Sequence, residues 1–215
     1  MQTIDRPWSY SSLTLYEKCP HAYKLRYLDK CKEPPNPAME RGTAIHTEIE
    51  GYLLGQSKLS DETHKLEAYY TGLKHLQPII EEPWGFDINW QPTSWDDAWC
   101  RMKLDAYVPG KFFQICDHKT GKYYPVKAID QGQLYAVGAS IRFPDSDKFE
   151  VTFAYVDSGE LKSTTYPKSK IAKIQQRFTE RANKLNIDRK FEPKPHKFTC
   201  KYCSLFEYCD YGVTE

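Results

Sequence analysis

The sequence predicts an α/β fold, a small mixed central β-sheet flanked by helices. Two apolar, partly alternating runs, Trp99 to Val108 and Phe112 to Lys119, surround the turn signal Pro109-Gly110. A second pair of runs, Phe149 to Val156 and Leu161 to Tyr166, is joined at Asp157-Ser158-Gly159. Helical stretches lie before, between and after these pairs, an order that sets helices against a sheet.

Taken along the chain, Ser9-Tyr10-Ser11-Ser12 offers a helix cap before an apolar-periodic stretch from Leu13 to Leu28, broken at Cys19-Pro20. Glu33-Pro34-Pro35-Asn36-Pro37 reads as a linker, and Ala38 to Leu54 as a helix. Ser60-Asp61-Glu62-Thr63 caps a further helix that runs to about Ile80, before Glu81-Glu82-Pro83. After the first hairpin, Lys127 to Ile141 forms a helix that stops at Phe143-Pro144. Ser169 to Leu185 is a long basic helix, and the tail from Phe191 is rich in Pro and Cys with little periodicity. The expected organisation is one domain over 1–215: an N-terminal helical segment (1–37), a core (38–190) and a cysteine-rich tail (191–215).

Composition narrows the class. A chain of 215 residues with 40% hydrophobic residues can build one sizeable core. No run approaches the length of a membrane span, so no membrane partner is expected. Met1 to Trp8 has no charged-then-apolar leader pattern, which points to an intracellular, cytoplasmic protein. There the seven cysteines are expected as thiols or ligands. Net charge is +1, yet from Lys162 to Lys201 twelve Lys or Arg face only Glu180, Asp188 and Glu192. That excess is either a solvated helix face or a surface that tracks phosphates.

The first hairpin carries the chemistry. Asp117 and Lys119 project from one face of their strand, and Asp105 can reach the same ion from the neighbouring strand. Two carboxylates and the backbone carbonyl of His118 are a suitable oxygen set for a hard cation such as Mg²⁺. Lys119 beside it can orient or deprotonate water, or offset charge on a phosphoryl transition state. The plainer reading is a pair of solvated charges, but these interrupt apolar runs, where an unpartnered charge is costly.

Two helical pairs stand near this hairpin in sequence. Gly42-x3-His46-x3-Glu50 puts three residues on one helix face, with His46 a candidate third ligand. Gln131-x3-Tyr135 can hydrogen-bond a nucleic-acid backbone without reading bases. Cys200-x2-Cys203-x5-Cys209 lies in a tail too short to pack alone, as metal-organised segments do. Its fourth ligand is best supplied by Cys19, with His196 second and Cys31 weaker; Cys100 and Cys116 read as core residues. Zinc and an iron–sulfur cluster both suit four thiolates. Either would close a loop of about 180 residues and constrain the unfolded chain.

In order along the chain, these pieces resemble the RecB-like branch of the PD-(D/E)XK nuclease superfamily, the type found in the AddB nuclease domain and in CRISPR-associated RecB-like exonucleases. The matching pieces are Tyr16-Glu17-Lys18-Cys19-Pro20, Gly42-Thr43-Ala44-Ile45-His46, Leu104-Asp105, Asp117-His118-Lys119-Thr120-Gly121, Gln131-Gly132-Gln133-Leu134-Tyr135, and Cys200-Lys201-Tyr202-Cys203 with Cys209. The resemblance implies a restriction-endonuclease-like core with the cysteine tail clipped to the N-terminal helix. It implies Mg²⁺- or Mn²⁺-dependent DNA exonuclease activity in recombination, repair or end processing, with His46, Asp105, Asp117 and the His118 carbonyl at the metal. Lys119 would position water, and Gln131 and Tyr135 would hold the DNA. Cys19, Cys200, Cys203 and Cys209 would hold a [4Fe–4S] cluster rather than zinc. DNA, single-stranded or with ends, is the expected partner, alongside a recombination or single-strand-annealing protein or further copies of the chain. Met102 departs from the family's usual glycine three residues before the first acid, and its bulk is expected to narrow the cleft. No G-x4-GK[ST] phosphate loop is present, so a stand-alone nuclease module is expected. The alternatives are a catalytically silent DNA-binding module of the same fold and a zinc-stabilised RNA-processing or adaptor protein.

Overall fold

A computed structural model describes residues 6–213. The chain forms two compact units: Pro37–Phe178, and Met1–Asn36 with Thr179–Glu215. No described helix is long and apolar enough to cross a membrane.

The Pro37–Phe178 unit is built on one six-stranded sheet in the order β2-β1-β3-β4-β5-β6. Its strands are β1 (Ile79–Phe86), β2 (Pro92–Thr93), β3 (Cys100–Val108), β4 (Phe112–Lys119), β5 (Lys148–Tyr155) and β6 (Glu160–Pro167). All neighbours are antiparallel except β4 and β5, which run parallel over eight pairs, from Phe112↔Lys148 to Lys119↔Tyr155. A parallel pair needs a crossover, and here it is the helix α5 (Pro125–Arg142). The mixed sheet with flanking helices is therefore the predicted class.

The hairpin strands, α5 and the β5–β6 pair fall within two residues of the predicted bounds. α3 (Pro37–Leu53) starts one residue inside the expected linker, because Pro suits a first helical turn. The region after it differs. Ser60 does not open a helix: its hydroxyl donates to Glu48, and the chain passes through a turn and a 3₁₀ segment, His64–Leu66, before α4 (Glu67–His75). Nor does that helix reach Ile80. Pro78 cannot donate to a continuing helix, Gln77 turns with φ 50°, and Ile79 opens β1, a strand absent from the prediction. Ile45, Ile49 and Leu53 of α3 pack with Tyr70 and Leu73 of α4 on Ala106, Cys116 and Ala154 of the sheet. Elsewhere in this unit Trp84, Tyr107, Phe113 and Phe143 form an aromatic cluster.

The other unit holds α1 (Tyr10–Lys18), α2 (Pro20–Tyr23), a π-helical turn (Lys24–Leu28), the end of α6 (Lys168–Ile187) and the tail with α7 (Lys197–Lys201). Ser9 caps α1, with its hydroxyl accepting from Ser12 N–H. Cys19 stands at the break that Pro20 imposes. In the tail, Leu205 is buried on Ala22 and Leu25, with Leu15, Cys19, Cys31, Cys203 and Cys209 around them. The tail is thus fastened to the N-terminal helices, as expected.

Candidate active site

The site lies where the sheet loses its regular pairing. The β3–β4 ladder covers only Ala106↔Cys116, Tyr107↔Ile115 and Val108↔Gln114. Beyond it the His118 amide donates to Asp105 Oδ2 at 2.7 Å. The β1–β3 ladder likewise skips one pair. Ile80↔Ala106 is followed by Glu82↔Leu104, and the missing pair is Glu81↔Asp105. Glu81 has φ 54°, in the left-handed region where a glutamate carries a conformational cost.

This irregularity changes which way side chains point. Strict alternation would put Met102 and Ala106 on one face. Instead Ala106 packs with α3 and α4, while a Cβ on Gly138 of α5 would meet Met102 Sδ at 2.6 Å. Met102 is only 3% exposed. Its bulk therefore fills the gap left by Gly138 on α5 and does not narrow the cleft. The adjacent acids of β1 also separate. Glu82 accepts from Trp84 Nε1 at 2.6 Å, from Tyr107 and from Arg142. Glu81 pairs with Lys103 and joins His46 and Asp105.

His46, Glu81 and Asp105 each offer a ligand atom within 4.8 Å of the others. His46 Nδ1 is 3.3 Å from Asp105 Oδ1. Burial opposes charge on His46, but Asp105 outweighs it and holds the imidazole above its ordinary pKa. Burial would also raise the Asp105 carboxyl, yet the hydrogen bonds from His46 and from the His118 amide pull it below the ordinary range.

Asp117 is held from two sides. Tyr135 O–H donates to its Oδ1 at 2.7 Å, and Gln131 Nε2 donates to Tyr135 Oη at 2.7 Å and lies 3.4 Å from the same carboxylate. Lys119 Nζ is 2.5 Å from Asp117 Oδ2 and lies over the Phe153 ring. Oδ2 is nonetheless buried without a well-directed hydrogen bond. Burial and the nearby Asp105 charge push the Asp117 carboxyl up, against the pull of Lys119. Desolvation prevails because the group is only 4% exposed.

The expected residues thus occupy one unit in two linked groups. His46 and Asp105 converge with Glu81, and Asp117 converges with Lys119, Gln131 and Tyr135. Gln131 and Tyr135 engage the carboxylate itself. The His118 ring lies on the α4 side, 3.4 Å from Tyr70 Oη. Burial lowers its pKa to about 4, so it is neutral. A Cβ on Gly42 would come 3.4 Å from Thr120 Oγ1, which marks the approach of α3 to the loop after Lys119. Asp157 ties the same region: it accepts from Gly121 N–H at 2.8 Å and from Arg41.

The cysteine group lies in the other unit. Cys19, Cys200, Cys203 and Cys209 line a cavity of about 160 Å³, with Lys18 and Arg26 among its walls. Burial raises the Cys209 thiol, and Cys19, Cys203 and Cys200 raise it further. Among the described residues only His46, Glu81 and Asp105 have ligand atoms all within 4.8 Å of one another, so the cysteine sulfurs do not converge that tightly. Cys31 touches the same apolar cluster, while Cys100 and Cys116 are buried in the sheet, as expected. Part of the basic excess is already paired: Lys162 with Glu160, Arg177 with Asp130, Arg181 with Glu17.

The sequence profile of the PD-(D/E)XK nuclease superfamily matches residues 7–109 and 103–210. The chain belongs to the PD-(D/E)XK nuclease superfamily. Nucleic acid is the substrate class this superfamily implies, and divalent metals are its cofactors. Over 81 residues, 38% of this chain, the sequence is 35% identical to the Gene 69 protein of Mycobacterium phage L5. The match spans 25% of that phage protein. The fold is similar to that of a Eubacterium rectale protein named "Putative exonuclease", with a TM-score of 0.56 and 11% identity over 98% of this chain and 90% of that one. A phage related exonuclease from Haemophilus somnus 129PT aligns at a TM-score of 0.36 and 12% identity, over 84% of this chain and 93% of its own.

Glu81 was missed by the sequence reading. Its signal was the acidic pair Glu81-Glu82 inside Ile79-Ile80…Trp84, an apolar run that could not keep two charges without partners.

Proposed function

We propose that the chain is a metal-dependent DNA exonuclease of the RecB-like branch, acting in recombination, repair or end processing. The whole of 1–215 would serve as one nuclease domain. The observation that carries the reading is the gap in both ladders around Asp105, with His46 and Glu81 on one side of it and the Asp117–Lys119 pair beside it.

The residues fit a divalent cation. Three ligand atoms converge, and Asp117 Oδ2 is buried without a directed hydrogen bond. His46, Glu81, Asp105 and Asp117 would hold Mg²⁺ or Mn²⁺, with the His118 carbonyl as a further oxygen. A bound divalent cation supplies Lewis acidity toward the phosphate and acidifies water. Tyr135 and Gln131 fix Asp117 through Oδ1 and leave Oδ2 directed at Lys119. The Lys119 ammonium orients the attacking water or offsets charge on the phosphate as it builds. Gln131 is partly exposed and can turn toward the DNA backbone.

In the other unit, Cys19, Cys200, Cys203 and Cys209 would hold a [4Fe–4S] cluster. What supports a bound metal group is that the four cysteines line one cavity, and the choice of a cluster over zinc rests on the resemblance. Its role would be structural.

End-labelled linear DNA with Mg²⁺ or Mn²⁺ tests the reading. Stepwise loss of nucleotides from ends, with closed circles spared, is expected. Intact linear DNA, or a Lys119→Ala protein as active as the wild type, would overturn it.

A further inference from the structure

Between Lys119 and the body of α5 the chain presents Lys122, Tyr123, Tyr124, Pro125 and Val126. Tyr123 is pinned: its ring meets Tyr155 edge-on at 5.3 Å, and Lys162 Nζ lies 5.3 Å from its centroid on the ring face. Tyr155 is the β5 residue paired with Lys119, so this loop is held beside the candidate site. The next side chain is left outside. Tyr124 is 62% exposed and Val126 84% exposed, with exposed Ile129 one turn further on. These apolar side chains lie together at the surface, beside the candidate site.

Its placement gives it direction. Tyr124 is the N-cap of α5, in extended conformation, and behind it Ala128, which is buried, Gln131 and Tyr135 follow one face of the helix. The helix that exposed Tyr124 caps carries Gln131 and Tyr135, which contact Asp117. Seven residues from Tyr124 to Gln131 rise about 10 Å, or about three base steps at 3.4 Å. The local charge is positive, with Lys119, Lys122 and Lys127 and no carboxylate across residues 118–129. An exposed ring flanked by cations suits a base whose phosphates run alongside, and stacking of that kind tolerates any sequence.

We propose that Tyr124 is a stacking platform for an unpaired DNA strand, gripping a base about three nucleotides from the bond at Asp117 and Lys119. This rests on the nuclease reading above and adds a strand preference, because a base in duplex DNA has no free face to offer the ring.

The test is binding without divalent cation, so that no strand is cut. A fluorescent single-stranded 12-mer with 2-aminopurine at its fourth nucleotide, counted from either end, reports affinity by anisotropy and stacking by quenching. Tyr124→Ala should weaken single-strand binding about tenfold and relieve the quenching. Tyr124→Phe should keep both, and the matching duplex should respond less than twofold. Melting curves of the variants confirm that each is folded. Single-strand binding by Tyr124→Ala within twofold of the wild type overturns the platform, as does a Phe variant that behaves like Ala. The end-labelled digestion separates the two readings. A wild type that cuts while Tyr124→Ala binds normally sinks the platform alone. A wild type that stacks a strand on Tyr124 without cutting sinks the nuclease reading and supports the platform.

Discussion

The Pro37–Phe178 unit buries Trp84, Phe86, Phe113 and Phe149 in a sheet of six strands. Its apolar core can hold the fold while His46, Glu81, Asp105, Asp117 and Lys119 crowd into a break in the ladder. The tail of the other unit has no such core of its own. From Lys194 to Gly212 its one buried side chain is Leu205, and its cysteines surround that contact. One unit therefore has an apolar core large enough to carry a buried carboxylate such as Asp117, whereas the tail has one buried contact and a set of cysteines around it. The difference teaches where each kind of substitution should act: at the ladder break on chemistry, at the sulfurs on structure.

The largest effect is expected at the sulfurs. On the proposal that the four cysteines hold a metal group, Cys203→Ser should release the tail, because such groups supply several kcal/mol to segments of this kind. Limited proteolysis should cut between Phe191 and Cys209 in the variant while a fragment containing the sheet survives. A variant tail as resistant as the wild type would mean that Leu205 and its neighbours suffice. Bound iron, read by absorbance and elemental analysis, should fall with the tail's protection; zinc in its place would keep the structural contrast and remove the cluster.

Next comes the converse substitution. Lys119→Ala removes a partly exposed ammonium and should leave melting within a few degrees of the wild type. Loss of one preorganised charge at a reacting centre should lower the rate on linear DNA by about 10²–10³-fold. A large drop in melting temperature instead would place Lys119 among the groups that hold the fold and blur the division.

Much of this contrast was legible in the sequence, and the illegible part has a physical cause. The hairpin, α5 and the β5–β6 pair keep regular periods, so apolar spacing located them to within two residues. The cysteine spacing located the tail. β1 was hidden because its period is broken at Glu81 and because Pro83 within it reads as a breaker. The same break that hid the strand brings Glu81 to Asp105, so the missed element and the missed residue have one origin. Pairing of Gln131 and Tyr135 with Asp117 depends on the depth of the carboxylate under α5, which spacing along a helix does not encode.

A pH profile sharpens the picture of the supported charges. His118 is 2% exposed and is held neutral, with its pKa near 4 against an ordinary 6.5. The unfolded chain binds this proton more readily, so the stabilising contribution is complete above pH 6.5 and is lost as pH falls toward 4. The size is on the order of 3 kcal/mol. His118→Leu should flatten the fall in melting temperature between pH 6.5 and 4 relative to the wild type, whatever it does to absolute stability. Parallel curves for the two proteins would show that other groups set the acid limit.

The smallest effect concerns Asp117, and its sign is the informative part. The folded chain raises this carboxyl above its ordinary pKa, so the folded state favours the protonated form. Stability is therefore lost as pH rises through that window, and at neutral pH the ionised group is a net burden on the metal-free protein. Asp117→Asn keeps an acceptor for Tyr135 and removes the charge. In EDTA it should melt a few degrees higher than the wild type, the shift expected for about 1 kcal/mol in a chain of this size. The substitution also leaves the Lys119 ammonium facing an amide, which that partly exposed side chain can avoid by turning to solvent. Added Mg²⁺ should reverse the order, since a cation that binds the folded state stabilises the wild type by mass action and the variant less. If the wild type melts higher in EDTA as well, Lys119 already neutralises Asp117, and the ladder break carries no charge that a metal must relieve.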